Sequence, residues 1–379
     1  MQTQTRFWSP TIPKVTIGLD LGDRRTELCQ LNELGAVVEQ SSLPTSRAGI
    51  EKRFRDLEPA RIVLEAGTHS PWISRMLAAL GHEVIVANPA KLYGGKRTSR
   101  RKKNDRIDAE YLARQGRADP ALLFPIQHRS EDTQGDLALI HSRDALVRSR
   151  ASLVNHVRGT VKSVGGRLPA SSTPSFARTA AAQIPQVLRP ALLPVLEMIQ
   201  TLSAQIVAFD KQIECMAEEK HPATRSLRQV TGVGALTALT YVLVLEDPAR
   251  FRQSRSVGSY LGLAPRLNET GGAGRGPELS ISKTGDALLR RLLVSSAHYI
   301  LGPFGPDTDL RRWGLALAAR GGKNAKKRTV VAVARKLAVL LHRLWSTGEA
   351  YEPLRNAKQP GEIPSPAPSA AEIKMEVAA

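Results

Sequence analysis

Between residues 15 and 88 the chain runs through short apolar segments whose order leaves little freedom of architecture. VTIGLDLG, RTELCQLN and AVVEQSSL are β-like runs parted by DR and NELG turns, which makes them an antiparallel meander. GIEKRFRDLE then reads as a helix, RIVLEAG as a buried strand, PWISRMLAALG as a helix ending at Gly81, and HEVIVANP as another strand. The order is β-β-β-α-β-α-β, followed by a basic loop and a helix that begins near Asp105.

Acids occupy unusual places in this plan. Asp20 lies inside the first strand, among apolar neighbours, where a carboxylate is costly unless paired or bound to metal. Glu65 holds the matching position in IVLEAG, so both can point off one sheet edge if the strands pair. Asp105 and Asp108, spaced i, i+3 at a helix start, share one face that can look back at the sheet. Four converging carboxylates cannot stay ionised without compensation, and divalent cations supply it: Mg²⁺, or Mn²⁺ in its place, takes carboxylate and phosphate oxygens. Two such ions about 3.5–4 Å apart stabilise both the attacking and the leaving oxygen in phosphoryl transfer. Lys96, Arg97, Arg100, Arg101, Lys102, Lys103 and Arg106 form a basic run beside these acids, suited to hold a phosphate strand over the metals. Each acid has a plainer reading: Asp105 as an N-cap, Asp108 as a helix-dipole partner, Asp20 as a turn acid, Glu65 as an ion-pair partner. Their joint occurrence in this element order favours the metal site.

The formal net charge of +19 over 379 residues points to a polyanionic partner, with a solubilising basic surface as the alternative. Cys29 and Cys215 lack CxxC or CxxH spacing, so both are expected to be core thiols rather than a disulfide or a zinc site. No early run has signal-peptide order, and no apolar window approaches the length of a membrane span, so a soluble, cytoplasmic chain is expected.

Residues 131 to 164 are helical in pattern, LPASSTPSF interrupts them, and a long helix is expected to resume after Pro194. The two form a helical hairpin or coiled coil, or an ordinary helical core. SLRQVTGVGALTALTYVLVL then reads as helix, turn and helix; the turn amides around Gly232 and Gly234 can approach a phosphate, or the turn serves packing alone. The remainder ends in basic amphipathic helices, and residues 1–13 and 352–379 read as flexible ends.

VTIGLDLGDRRTELCQL, IVLEAGTHSPWISRML and KKNDRIDAEYLARQ resemble the three blocks of the RuvC-like DEDD domain in insertion-sequence transposases of family one-ten. LRQVTGVGALTAL, YLGLAPRLNETGG, ISKTGDALLRRLL and KKRTVVAVARKLA resemble that family's second domain, in order. The resemblance implies an α/β plus α protein: an RNase H-like (RuvC-like) domain over 14–125, a helical arm over 126–222, a mainly helical transposase domain with a helix-hairpin-helix-like element over 223–351, and a disordered tail. It places Asp20, Glu65, Asp105 and Asp108 at the DEDD positions. It implies a recombinase that joins donor and target DNA, guided by a structured noncoding bridge RNA. Action as a dimer or tetramer is implied too, with one subunit's RuvC-like site completed by another's second domain.

The family's second domain supplies a serine nucleophile before a glycine; here PRLNETGG puts Thr270 at that position, with Ser280 and Ser282 as substitutes. Arg266, Arg275, Lys283, Arg290 and Arg291 surround it in sequence, and Lys323, Lys326, Lys327 and Arg328 follow; each can neutralise phosphate or simply be solvated. An aromatic content of 4% argues against base stacking as the main mode and fits backbone recognition with RNA pairing. Rival readings are a structure-specific nuclease of RuvC type, an actin-like kinase or ATPase read from IGLDLGDRRTEL, and a noncatalytic nucleic-acid-binding protein.

Overall fold

The β-like runs pair as their alternation demands. In the computed structural model, which describes residues 13–92, 105–266 and 280–356, β1 (Thr16–Leu21), β2 (Arg25–Leu31) and β3 (Val37–Pro44) form the meander. After helix α1 (Arg47–Phe54), β4 (Arg61–Glu65) lies parallel to β1 on its other side, and after α2 (Ser70–Ala79), β5 (Glu83–Ala87) lies parallel to β4. The sheet order is β3-β2-β1-β4-β5. The short α3 (Pro89–Leu92) and then α4 (Asp105–Ala118) complete this first unit, which ends at Ser130.

Strand alternation divides the sheet into two faces. Ile17, Leu19, Leu28, Ile62 and Leu64 are buried with Ile50 and Phe54 of α1 and Ile73 and Leu77 of α2. The opposite face presents Gly18, Cys29 and Val63 to α4, whose buried stripe is Ala109, Leu112, Ala113 and Gly116. Small residues there set the distance: a Cβ on Gly18 would sit 2.0 Å from the carbonyl oxygen of Ala109, and one on Gly116 would sit 2.2 Å from Val63 Cγ2. Buried Arg61 fixes the far end, donating to the carbonyl of Gly116 (3.0 Å) and pairing with Glu83 (2.8 Å).

The second unit begins with α5 (Glu131–Ser163) and, after α6 (Phe176–Ala181), α7 (Arg189–Glu219). These long helices form an antiparallel hairpin, with Arg143 paired to Asp210 (2.6 Å) and Arg150 donating to Ser203 (3.1 Å). Its distal part packs through Val157, Val161, Leu192, Leu196 and Ile199, and its proximal residues Leu137, Ile140, Ile213 and Ala217 belong to the core of the helices that follow. α7 starts at Arg189, before the Pro194 at which the sequence pattern placed its restart; the proline lies inside the helix, where packing of Leu192 and Leu196 outweighs one missing backbone donor. Contrary to the expectation from sequence, the helical stretch 186–219 contains an 18-residue window apolar enough, by length and composition alone, to cross a membrane. Cys29 is a core thiol, whereas Cys215 is exposed on α7 rather than buried as expected.

The rest of this unit is helical: α8 (Ala223–Arg228), α9 (Ala235–Leu245), α10 (Arg255–Tyr260), α11 (Ala287–Leu301), α12 (Asp309–Ala319) and α13 (Ala325–Thr347). α9 is buried along nearly its whole length, and Tyr241 donates to the carbonyl of Ala338 in α13 (2.6 Å). Within the region read as a flexible end, residues 353–356 are tied to the fold: Asp309 donates its N–H to the carbonyl of Pro353 and accepts from Asn356.

Candidate active site

β1 and β4 run parallel in a register that pairs Leu19 with Leu64, so Asp20 and Glu65 follow side by side at the carboxyl ends of adjacent strands. Ligands gather at that edge of open α/β sheets. Asp20 shares its face with Gly18, and Glu65 with Val63, so both acids belong to the side that α4 covers. Asp105 and Asp108 continue the buried stripe of α4 by one turn toward its N-terminus, which carries them past the sheet to that edge. The outcome is a triad: ligating oxygens of Asp20, Asp105 and Asp108 all lie within 4.8 Å of one another. Glu65 stands outside that triad and, with Asp20, lines a cleft of about 270 Å³ together with Asp23, Gly67, Thr68 and His69.

Hard carboxylate oxygens this close repel unless a cation is shared, and their chemistry fits Mg²⁺ or Mn²⁺. A DEDD metal dependence is therefore matched by a donor set in place, half-buried at Asp20 and Asp108 and exposed at Asp105.

Two further polar residues at this edge were missed by the motif reading. Glu27 pairs with Asp20 across the β1–β2 hairpin and thus faces the same side; its Oε2, buried and without a hydrogen bond, is 3.5 Å from Arg106 Nε. Counting register outward from the Gly22–Arg24 turn would have found it. His69, four residues after Glu65, lines the cleft with its Nε2 3.6 Å from Asp23. Arg106, expected to meet phosphate, is the cation facing Glu27.

Lys96, Arg97, Arg100, Arg101, Lys102, Lys103, Thr270 and Arg275 lie outside the described residues. The flanks of the segment holding Thr270 are described: Arg266 N–H donates to the carbonyl of Ser280 (3.2 Å), Ser282 N–H to that of Ala264 (3.0 Å), and Pro265 bridges Ile281. Ser282 and Thr284 share a hydroxyl hydrogen bond (3.0 Å), and Arg266 reaches the hydroxyl of Ser280 (3.3 Å). Below this ladder Gly262, at φ +69°, approaches Thr284 so closely that any Cβ would collide with its backbone. Lys283 is exposed in a left-handed conformation, φ 57°. Arg290 is a clamp on the same loop, its Nη1 donating to the carbonyls of Leu261 and Thr284, while Arg291 pairs with Asp144 of α5 (2.8 Å). Gly232 takes φ +90° in the turn before α9, and Gly234, at the N-cap of α9, has open space where a side chain would stand. Lys326 and Lys327 are exposed in the first turn of α13, which contains no acid.

Comparison with known proteins agrees with the geometry. Residues 17–165 match the DEDD transposase family of IS110, and residues 224–307 match the family described as "Transposase IS116/IS110/IS902 family". A "Probable family 20 transposase" of Pseudomonas aeruginosa is 30% identical over 347 residues, covering 89% of this chain and 98% of that protein. The "Transposase for insertion sequence element IS1111A" of Coxiella burnetii is 28% identical, over 88% of this chain and 90% of its own. A "Pilin gene-inverting protein" of Moraxella bovis is 24% identical, over 86% and 93%. The mixed sheet with its carboxylate edge defines an RNase H-like DEDD domain within a DNA-cutting and rejoining enzyme. The chain belongs to the IS110 family of transposases.

Proposed function

We propose that this chain cuts and rejoins donor and target DNA to move its own insertion sequence, using a metal-loaded carboxylate centre and a hydroxyl nucleophile. The observation that carries the reading is the convergence of Asp20, Asp105 and Asp108 within 4.8 Å at the sheet edge, with Glu65 on the adjoining strand. Bound there, Mg²⁺ or Mn²⁺ would neutralise charge developing on the phosphate oxygens. Asp20, Asp105 and Asp108 would hold the ion, and Glu65 would serve a second ion or orient the strand across the cleft.

Thr270 is the residue we assign as nucleophile. Its Oγ bonds to phosphorus as the bond from phosphorus to the leaving-strand oxygen breaks; its proton passes to water, and the leaving oxygen takes up a proton. The covalent protein–DNA link then rejoins by the reverse exchange, which conserves the phosphate bond. Ser280 and Ser282 are the alternative nucleophiles, their hydroxyls partnered by Arg266 and Thr284.

Within this reading, the RuvC-like catalytic part spans 14–125, the helical arm 126–222 and the second transposase domain 223–351. The turn around Gly232 and Gly234, the loop cation Lys283, and Lys326 and Lys327 contact nucleic-acid phosphates, as do Arg266 and Arg275. A bridge RNA supplies sequence readout by pairing, and the protein acts in the cytoplasm as a homo-oligomer, a dimer or tetramer. A hydrolytic nuclease of RuvC type would use the same carboxylates without Thr270. An SDS-stable protein–DNA adduct, present in the parent and lost in Thr270→Ala, supports transfer to protein; cutting without an adduct in the parent refutes it.

A further inference from the structure

The five residues after Glu65 form a turn locked by its own hydrogen bonds. Gly67 N–H donates to Ser70 Oγ (2.9 Å), Ser70 Oγ donates back to the carbonyl of Gly67 (2.8 Å), and His128 Nε2 lies 2.8 Å from the same hydroxyl. Burial, and then the charges of Arg75 and Arg129, hold His128 below its ordinary value, which keeps this ring neutral. With the Ser70 hydrogen spent on Gly67, His128 is the donor to Ser70. The turn therefore presents His69 to the cleft in one fixed place, beside Asp20 and Glu65.

The tautomer of His69 follows from its other neighbour. Trp72 Nε1 is 3.2 Å from His69 Nδ1, and the two rings meet edge to face at 6.2 Å. An indole N–H can only donate, so Nδ1 is the acceptor and the neutral imidazole carries its hydrogen on Nε2. Arg47, whose guanidinium lies 5.7 Å from the Trp72 ring centroid, steadies the indole. Nε2 faces Asp23 at 3.6 Å, too far for a hydrogen bond, and the Asp23 side chain is 93% exposed on the β1–β2 turn. A ring nitrogen that bears hydrogen is neither a metal ligand nor a base. It is a donor, set in a cleft whose carboxylates Asp20, Asp23 and Glu65 are all acceptors.

We propose that His69 Nε2–H donates to a non-bridging phosphate oxygen of the DNA strand lying at the carboxylate centre. This inference rests on the reading of the cleft as the DNA-cutting site. It gives the strand an anchor that is independent of metal, next to carboxylates that repel phosphate until cations arrive. In the absence of DNA, Asp23 is the weak partner that phosphate displaces.

The test uses the full-length protein and a fluorescein-labelled duplex from the element's end, with anisotropy titrations in EDTA. His69→Ala and His69→Phe are expected to bind about tenfold more weakly, the loss of one hydrogen bond to a charged acceptor. His69→Phe keeps an aromatic ring against Trp72 but gives up the hydrogen bond from its indole, so its thermal midpoint, measured beside the parent's, separates lost contact from lost fold. His69→Gln, whose amide restores an N–H near the position of Nε2, should recover most of the affinity. Asp23→Asn should bind at least as tightly as the parent, because it removes a competing acceptor and a negative charge. Unchanged affinity in His69→Phe, or an equal loss in Asp23→Asn, would overturn the proposal. Asp105→Asn, assayed for cutting in Mg²⁺, tests the underlying reading separately: if it still cuts, the metal-centre reading falls while the chelator result stands by itself.

Discussion

At the scale of single residues, the site is a compromise between charge and stability. Asp20, Asp105 and Asp108 bring like charges within 4.8 Å, which a folded chain without metal tolerates only at a cost. Asp108→Asn should therefore raise the stability of the metal-free protein, by about 0.5–1 kcal/mol, while abolishing cutting. Urea unfolding in EDTA checks the first effect. Added Mn²⁺ should raise the thermal midpoint of the parent and leave that of Asp108→Asn nearly unmoved, since only a folded state that binds the ion gains from it. Asp20 and Glu65 were readable from sequence because an acid among apolar strand neighbours is costly unless it has a use. Glu27 was not, since it follows an arginine and a threonine and looks like any exposed strand acid until the register with Asp20 is known. His69 was equally hidden, because its meaning depends on the indole of Trp72 fixing its tautomer.

At the scale of elements, the site depends on how closely α4 lies on β1. Gly18 sets that distance, and its replacement by alanine would drive a methyl into the backbone of Ala109 and Ala113. Gly18→Ala is expected to destabilise the protein by about 1–3 kcal/mol, the range for overpacking, and to lower Mn²⁺ affinity by moving Asp105 and Asp108 away from Asp20. Unfolding and Mn²⁺ titration on one preparation measure both. The glycine was visible in IGLDLG, but nothing in the string says that a helix ninety residues later would rest on it. The two long helices were legible from apolar residues at three- and four-residue spacing, with a hairpin among the arrangements they allowed, whereas the start of α7 was not, because a proline inside a helix is tolerated where tertiary packing is strong. At the hairpin's base, Asp136 accepts from Lys220 (2.8 Å) and His221 (2.9 Å). Burial opposes its ionisation, but these hydrogen bonds and the charges of Lys220 and His221 prevail and hold the carboxyl below its ordinary value. A depressed carboxyl pKa stabilises the fold fully above the unfolded value and loses that stabilisation as pH falls through the folded one. Asp136→Asn should thus cost about 1–2 kcal/mol near pH 7, with the gap to the parent closing below the ordinary carboxylate range. Denaturant curves across pH measure the convergence.

At the scale of the whole molecule, a net charge of +19 sets the terms of binding. Nucleic-acid affinity should fall linearly in log–log coordinates with salt, and Lys326→Ala with Lys327→Ala should flatten the slope by about 2 while weakening different sequences alike. A filter-binding series at several salt concentrations reads this directly. The central claim is that the Asp20, Asp105 and Asp108 triad drives the cutting and rejoining of DNA. Its most direct test incubates the purified protein with donor and target duplexes, RNA transcribed from the element's flank, and Mg²⁺, beside Asp105→Asn. Joined product and a covalent adduct are expected from the parent and neither from Asp105→Asn, at equal DNA binding in chelator. Joined product from Asp105→Asn at the parent's level would contradict it.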